Sequence, residues 1–222
     1  FATEMTGVGK DFSIRTLDYT DGLRKAIIKY GDAKGLKLSK CGSFGHSSKV
    51  DDGFNIEGMC FGPDSSTLYI CFRAPILPDS NKTKSLIIPI LNFEKWFDEG
   101  HKISKISFDE PILIDLGERG IRDIIAVSDG NYAIIAGKTD DKSNFSIYSW
   151  SGKREDAPQE TKILVPKDSK PEALLEFIDG AGNQFLQILS DNGSTPFYND
   201  NVKGKYLIPE FKKFRDDYLQ LN

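Results

Sequence analysis

Apolar positions along the chain follow two periods. Leu23, Ile27, Ile28 and Tyr30 fall at helical spacing. Thr20 or Asp21 can cap that helix, and Gly31 stands where a helix-ending glycine would. Ahead of it, Phe1–Met5 and Ser13–Tyr19 read as short strands. Residues 32–53 lose the period and fill with Gly, Ser, Lys and Asp, which predicts a long surface loop. From Phe54 onward the apolar runs become short and β-rich: Gly58–Phe61, Leu68–Phe72, Leu86–Leu91, Pro111–Leu116, Ile124–Val127, Tyr132–Ala136, Phe145–Trp150, Ile163–Val165, Ala173–Phe177 and Phe185–Leu189. Gly-Pro-Asp-Ser, Ser-Asp-Gly-Asn and Asp-Gly-Ala-Gly-Asn separate several of them, and such turns between apolar runs signal hairpins. No long helix interrupts the runs, so an antiparallel all-β fold is expected rather than a parallel α/β sheet. In the tail, Phe211, Phe214, Tyr218 and Leu221 share one helical face, while residues 216–220 read equally well as a strand. In either form the tail is expected to dock with its aromatics buried.

The hairpins repeat. Glu57-Gly-Met-Cys-Phe61, Arg122-Asp-Ile-Ile-Ala-Val127 and Glu172-Ala-Leu-Leu-Glu-Phe177 each lead through a turn into a second apolar run. Their starts lie 65 and 50 residues apart, and further β runs follow each hairpin. Units of about four strands at such a period point to a β-propeller, with a β-sandwich of similar hairpins as the competing reading. The expectation is therefore an all-β chain of four-stranded antiparallel blades with one short N-terminal helix. Residues 1–53 form a partial blade, helix and loop, residues 54–118 and 119–169 a blade each, and residues 170–222 a blade with a closing tail. Three good repeats are few for a ring, and open edges invite pairing. Missing blades are expected from a segment before Phe1, which is not an initiating Met, or from a second chain.

Composition narrows the partners. The 222 residues are 39% hydrophobic and 28% charged, with no apolar run approaching the ~18 residues of a membrane span. A net charge of −4 without a basic block argues against nucleic acid. Lys102 and Lys105 beside His101 read as a solvated loop. Three Cys and two His exclude a disulfide scaffold and a zinc finger of usual spacing. The odd thiol count leans toward a reducing compartment, but cytoplasmic, periplasmic and secreted locations all stay open. Cys60 and Cys71 lie on two arms of one hairpin, where register decides whether they share a face, and free thiols are the expected state. Cys41 is expected to be exposed in its loop. Trp96, with Phe93 and Phe97, reads as packing, and Trp150 as packing between blades. No phosphate-binding glycine loop and no Gly-x-Ser-x-Gly elbow is present.

Phe54-Asn-Ile-Glu-Gly-Met59, Phe72-Arg-Ala-Pro75, Pro111-Ile-Leu-Ile-Asp-Leu-Gly117, Arg119-Gly-Ile-Arg-Asp123 and Lys170-Pro-Glu-Ala173 resemble an uncharacterised bacterial family, domain of unknown function 3616. Ser190-Asp-Asn-Gly193 and Lys213-Phe-Arg215 fit the same likeness, which runs over nearly the whole chain. The resemblance implies a β-propeller distantly similar to esterase-like phytases and calcium-dependent lactonases. It also implies that about a hundred residues, including the first blades, precede Phe1. The family brings no catalytic residues to carry over.

Antiparallel hairpins return the end of one strand to the start of its partner. Glu57 should therefore meet Arg73, Arg122 should meet Lys138, and Glu172 should meet Asp191, all at one mouth of the channel, with Arg119 in reach. Three readings stay open. Each pair is a structural salt bridge; or Arg73, Arg119 and Arg122 clamp a small anionic ligand; or Glu57, Glu172 and Asp191 hold Ca²⁺. The expected function is a binding or scaffold module with a small anionic ligand or ion at the mouth. The alternative is a metal-dependent phosphoester or ester hydrolase of the esterase-like phytase type. Whether the chain is an enzyme stays open at this level.

Overall fold

Leu68, Ile70 and Phe72 alternate with Tyr69 and Cys71, and all five are buried, so this strand must be covered on both faces. The computed structural model, which describes residues 2–7, 13–18, 22–78, 80–93, 106–140 and 144–220, shows what covers them. Strands β1 (Ala2–Thr6) and β2 (Ser13–Asp18) pair as a hairpin. Helix α1 (Leu23–Ala33) and the short α2 (Leu38–Cys41) follow. Strands β3 (Asn55–Phe61), β4 (Leu68–Leu77), β5 (Lys84–Ile90) and β6 (Ile112–Asp115) form an antiparallel meander, the first sheet. The second is built from β7 (Gly120–Ala126), β8 (Tyr132–Gly137), β9 (Ser146–Trp150) and β10 (Gln159–Glu160). The third has β11 (Pro171–Ile178), β12 (Gln184–Ser190) and β13 (Arg215–Gln220).

The sheets lie face to face in chain order, with β3 and β4 against β7, and β7 and β8 against β11. Strand alternation divides the side chains among three cores. Leu68, Ile70, Phe72, Leu86 and Ile88 face the helices and meet Ile27 and Leu38. Tyr69, Cys71 and Ile87 face the second sheet and meet Ile124, Ile134, Tyr148 and Trp150. Ala133, Ile135 and Ile147 face the third sheet and meet Leu174, Leu186 and Ile188. Each middle strand therefore reads as an unbroken apolar run. Trp150 is buried between the first two sheets, with Tyr69 and Tyr132 beside its ring, as expected. The fold is thus mostly β and antiparallel. Among the described residues no helix is long and apolar enough to cross a membrane.

Several expectations are corrected. Helix α1 runs past Gly31, and the left-handed residue after it is Gly35, at φ +77°. Gly31 instead lies inside the helix against Leu38, where a Cβ would overlap that side chain. The supposed loop 32–53 thus contains α2, whose Leu38 and Cys41 are buried; Cys41 is not exposed. Thr20, Asp21, Trp96, Phe97, His101, Lys102, Lys105 and Leu221 lie outside the described residues. The run Ile163–Val165 forms no strand; β10 takes the fourth place in the second sheet while Ile163 and Val165 pack against the third core. The tail pairs with β12 as β13, not as a helix, and Phe211, Phe214 and Tyr218 stay exposed. Its inward contact comes from Leu219. Cys60 pairs with Tyr69 and Cys71 with Gly58, so both thiols share one face as diagonal neighbours, and both are free.

Candidate functional site

The first strands of the three sheets carry the same irregularity. In β3, Ile56 pairs with Phe72 and Gly58 with Cys71, leaving Glu57 as an extra residue. In β7, Ile121 pairs with Ala136 and Asp123 with Ile135, leaving Arg122. In β11, Pro171 pairs with Ser190 and Ala173 with Leu189, leaving Glu172. A β-bulge re-aims the side chain of its extra residue and shifts the alternation that follows. That shift is why Ile121 and Ile124, three apart, both reach the core against the first sheet. Three adjacent strands thus turn Glu57, Arg122 and Glu172 out of the regular pleat at the same repeat position.

Glu57 is held between two guanidinium groups. Arg73 Nη1 donates to Glu57 Oε1 at 2.9 Å, and Arg122 Nη1 lies 3.5 Å from Oε2. Asn55 Nδ2 donates to Oε1 as well, at 2.9 Å. The Nη2 donors go to main chain: Arg73 Nη2 to the Thr139 carbonyl, and Arg122 Nη2 to the Lys138 carbonyl at 2.8 Å and the Asp140 carbonyl at 3.0 Å. The Phe145 ring lies 5.4 Å from the Arg122 guanidinium carbon. Both arginine side chains are only 4% exposed, against 19% for Glu57. These are buried, multiply bonded ions in a low-dielectric setting, the arrangement in which a buried pair can persist.

Glu172 and Asp191 complete the rim. Burial raises the Glu172 carboxyl above its ordinary range, and the charges of Glu57 and Asp191 push the same way, against Arg122 and Arg73. Glu57, Arg73, Arg122, Glu172 and Asp191 therefore lie within electrostatic reach of one another, while two other expected residues are engaged differently. Lys138 contributes its carbonyl, while its ammonium pairs with Glu118 at 3.2 Å. Arg119 is engaged elsewhere, donating to the Asn144 side chain and carbonyl, the Leu116 carbonyl and the Tyr148 hydroxyl. The clamp of three arginines is thus not assembled. Nor is the calcium site: among the described residues no three acidic, Cys or His side chains gather closely enough to hold one ion. Glu57 is bound by two cations and an amide.

Sequence reasoning missed the supports. Asp51 accepts from the Thr139 hydroxyl, tying the segment before β3 to the strand end that receives Arg73. Asp123, next to the bulge, accepts from the Leu174 amide at 2.7 Å and joins the second sheet to the third. Burial raises the Asp123 carboxyl despite that bond. Asn55, two residues from Glu57, could have been suspected from strand alternation. Asp51, Thr139 and Phe145 carry no signal at their distances along the chain. Elsewhere, a cleft of about 630 Å³ opens between the second and third sheets over Ile147, Leu186 and Leu219. Its Glu176 and Gln184 are both committed to Ser128.

Comparison with protein-family models, with curated proteins and with solved structures found no match to this chain.

Proposed function

We propose that the chain is a scaffold or binding module of β-propeller type, and that its rim of charged residues is a joint rather than a reaction centre. Three consecutive antiparallel sheets with adjoining first strands support the propeller reading. So does the likeness to the uncharacterised family. The observation that carries the functional reading is the state of Arg73 and Arg122. Both are buried and bonded to Glu57 and to main-chain carbonyls of the second sheet. A guanidinium so engaged offers little to an incoming phosphate or carboxylate, but it fixes the first sheet to the second. The side chains left toward solvent at the rim are carboxylates, which disfavour the small anion expected from the sequence. The hydrolase alternative needs a metal-ligand set that these residues do not form.

Thermal unfolding with phosphate, citrate or Ca²⁺ tests this reading. No ligand should raise Tm. Anything that binds the native state alone stabilises it, by an amount that grows with the logarithm of ligand concentration above Kd. A dose-dependent rise with phosphate that disappears in Arg122→Met would overturn the reading in favour of an anion site. A rise with Ca²⁺ lost in Glu172→Gln would restore the metal site. Hydrolysis of p-nitrophenyl phosphate and acetate should stay at the buffer rate with or without Ca²⁺.

A further inference from the structure

We propose that the cleft between the second and third sheets is a binding site for a small aromatic carboxylate. The repeat that aligns Glu57, Arg122 and Glu172 also aligns the strands that pair with theirs. Cys60 pairs with Tyr69 and Ile125 with Ala133, so Ala133 holds in the second sheet the place of Tyr69 in the first. Ala126 pairs with Tyr132 and Glu176 with Leu186, so Leu186 holds in the third sheet the place of Tyr132 in the second. Tyr132 pairs onward with Trp150 and Leu186 with Leu219, which makes Leu219 the counterpart of Trp150. Between the first and second sheets these three places carry rings. The Trp150 ring lies 6.1 Å from that of Tyr69 and 5.9 Å from that of Tyr132. Each ring also donates to main-chain carbonyls: Tyr69 to Gly152, Tyr132 to Phe61, and Trp150 to Lys153 and Asp156. Between the second and third sheets the same places are Ala133, Leu186 and Leu219. All three line the cleft of about 630 Å³.

Ala and Leu fill less of the space between two sheets than Tyr and Trp, so room for a ring is left there. Ala133 and Leu186 form a buried floor, and Ile163 and Leu219 are half-buried beside it. A concave apolar floor edged by a few polar groups is the usual form of a small-molecule site, and the volume is of that size. The edge sets the charge of the occupant. Glu176 accepts from the Ser128 amide and hydroxyl, and Asp129 from the Asn131 amide, so both carboxylates are already engaged. Lys162 is exposed, and its ammonium has no ion pair or hydrogen bond among the described residues. Its main chain is fixed beside the cleft, because the Thr161 amide donates to the Ile147 carbonyl at 2.8 Å. A ligand with its ring over Ala133 and its carboxylate at Lys162 fills the place that Tyr69 and Trp150 fill one sheet earlier, and it pairs the lysine. Charge-assisted bonds of this kind are the stronger polar contacts.

Phenylacetate is the probe, titrated to about 5 mM and followed by amide NMR, a span that covers the affinities of single-ring ligands. The amides of Ser149, Thr161 and Leu219 should move and saturate. Benzyl alcohol, which keeps the ring and lacks the carboxylate, should move the same amides at higher concentration. Acetate, which lacks the ring, should leave them in place. Lys162→Gln, at an exposed position, should weaken phenylacetate roughly three- to tenfold and leave benzyl alcohol unchanged, the scale of one charge-assisted bond at a partly wet edge. Leu219→Trp puts back the ring that the second sheet carries at Trp150. It should abolish binding of both probes while the circular dichroism spectrum stays that of the parent. Amides that stay in place at the highest phenylacetate concentration overturn the inference. So does binding that neither Lys162→Gln nor Leu219→Trp weakens, since the probe would then occupy another site.

Discussion

Glu57 balances two guanidinium groups that have little access to water, and its removal leaves both buried charges uncompensated. Glu57→Gln keeps the shape and removes the charge. It should cost about 3 kcal/mol in chemical denaturation, the scale of breaking one member out of a buried ion pair. A cost below ~1 kcal/mol would mean that the network behaves as a surface pair. Glu172 acts in the opposite direction. Its carboxyl is held above the ordinary range by burial first and by Glu57 and Asp191 next. A raised carboxyl contributes stability that is full below the unfolded-state value and is lost as pH rises through the folded-state value. Glu172→Gln should therefore be more stable than the parent at about pH 8, and the gain should vanish toward about pH 4. Thermal melts at both pH values check the sign. The meeting of Glu57 with Arg73 was legible because hairpin arithmetic needs only the turn and the strand lengths. The contact between Arg122 and Glu57 crosses from one sheet to the next, and no local pattern encodes it.

At the scale of elements, two glycines mark close approaches that composition cannot distinguish from turn glycines. A Cβ on Gly31 would overlap Leu38, and a Cβ on Gly120 would overlap the Arg73 carbonyl. Leu38 is a side chain with some room to turn, so Gly31→Ala should cost about 2 kcal/mol through overpacking between α1 and α2. The Arg73 carbonyl belongs to a strand fixed on both sides. Gly120→Ala should cost more than Gly31→Ala and should also loosen the joint at Glu57. Denaturation midpoints of the two variants, compared with Gly180→Ala, where nothing lies near and φ is not in the left-handed region, isolate the packing cost. The strands of the three meanders were legible from short apolar runs and turn residues. The tail was not, because residues 211–221 satisfy helical and strand patterns together. Pairing with the free edge of β12 decides the outcome. The run Ile163–Val165 misled for a related reason. Its apolar residues report burial, and burial does not require a place in the hydrogen-bonded ladder.

Across the whole molecule, the three cores form a stack in which each inner sheet serves two of them. Trp150 lies in the core shared by the first and second sheets. Trp150→Ala should cost about 3–5 kcal/mol, as large aromatic truncations in packed cores do. Because β7 contacts both neighbouring sheets and the second sheet contributes to both cores, the loss should appear in a single unfolding transition, followed by circular dichroism, rather than in one sheet alone. Two transitions with only the first displaced would show that the sheets unfold independently.

Alternation, turn chemistry and the recurring hairpin were enough to establish an antiparallel β chain with three equivalent first strands and to bring Glu57, Arg122 and Glu172 to one repeat position. These are local properties, written within about ten residues of each position. Tertiary structure alone decided that Arg119 turns away, that Glu57 is captured by two cations instead of being free for Ca²⁺, and that Cys41 is buried. Those outcomes depend on which sheet faces which and on what each bulge re-aims, and they are settled by contacts between residues tens of positions apart.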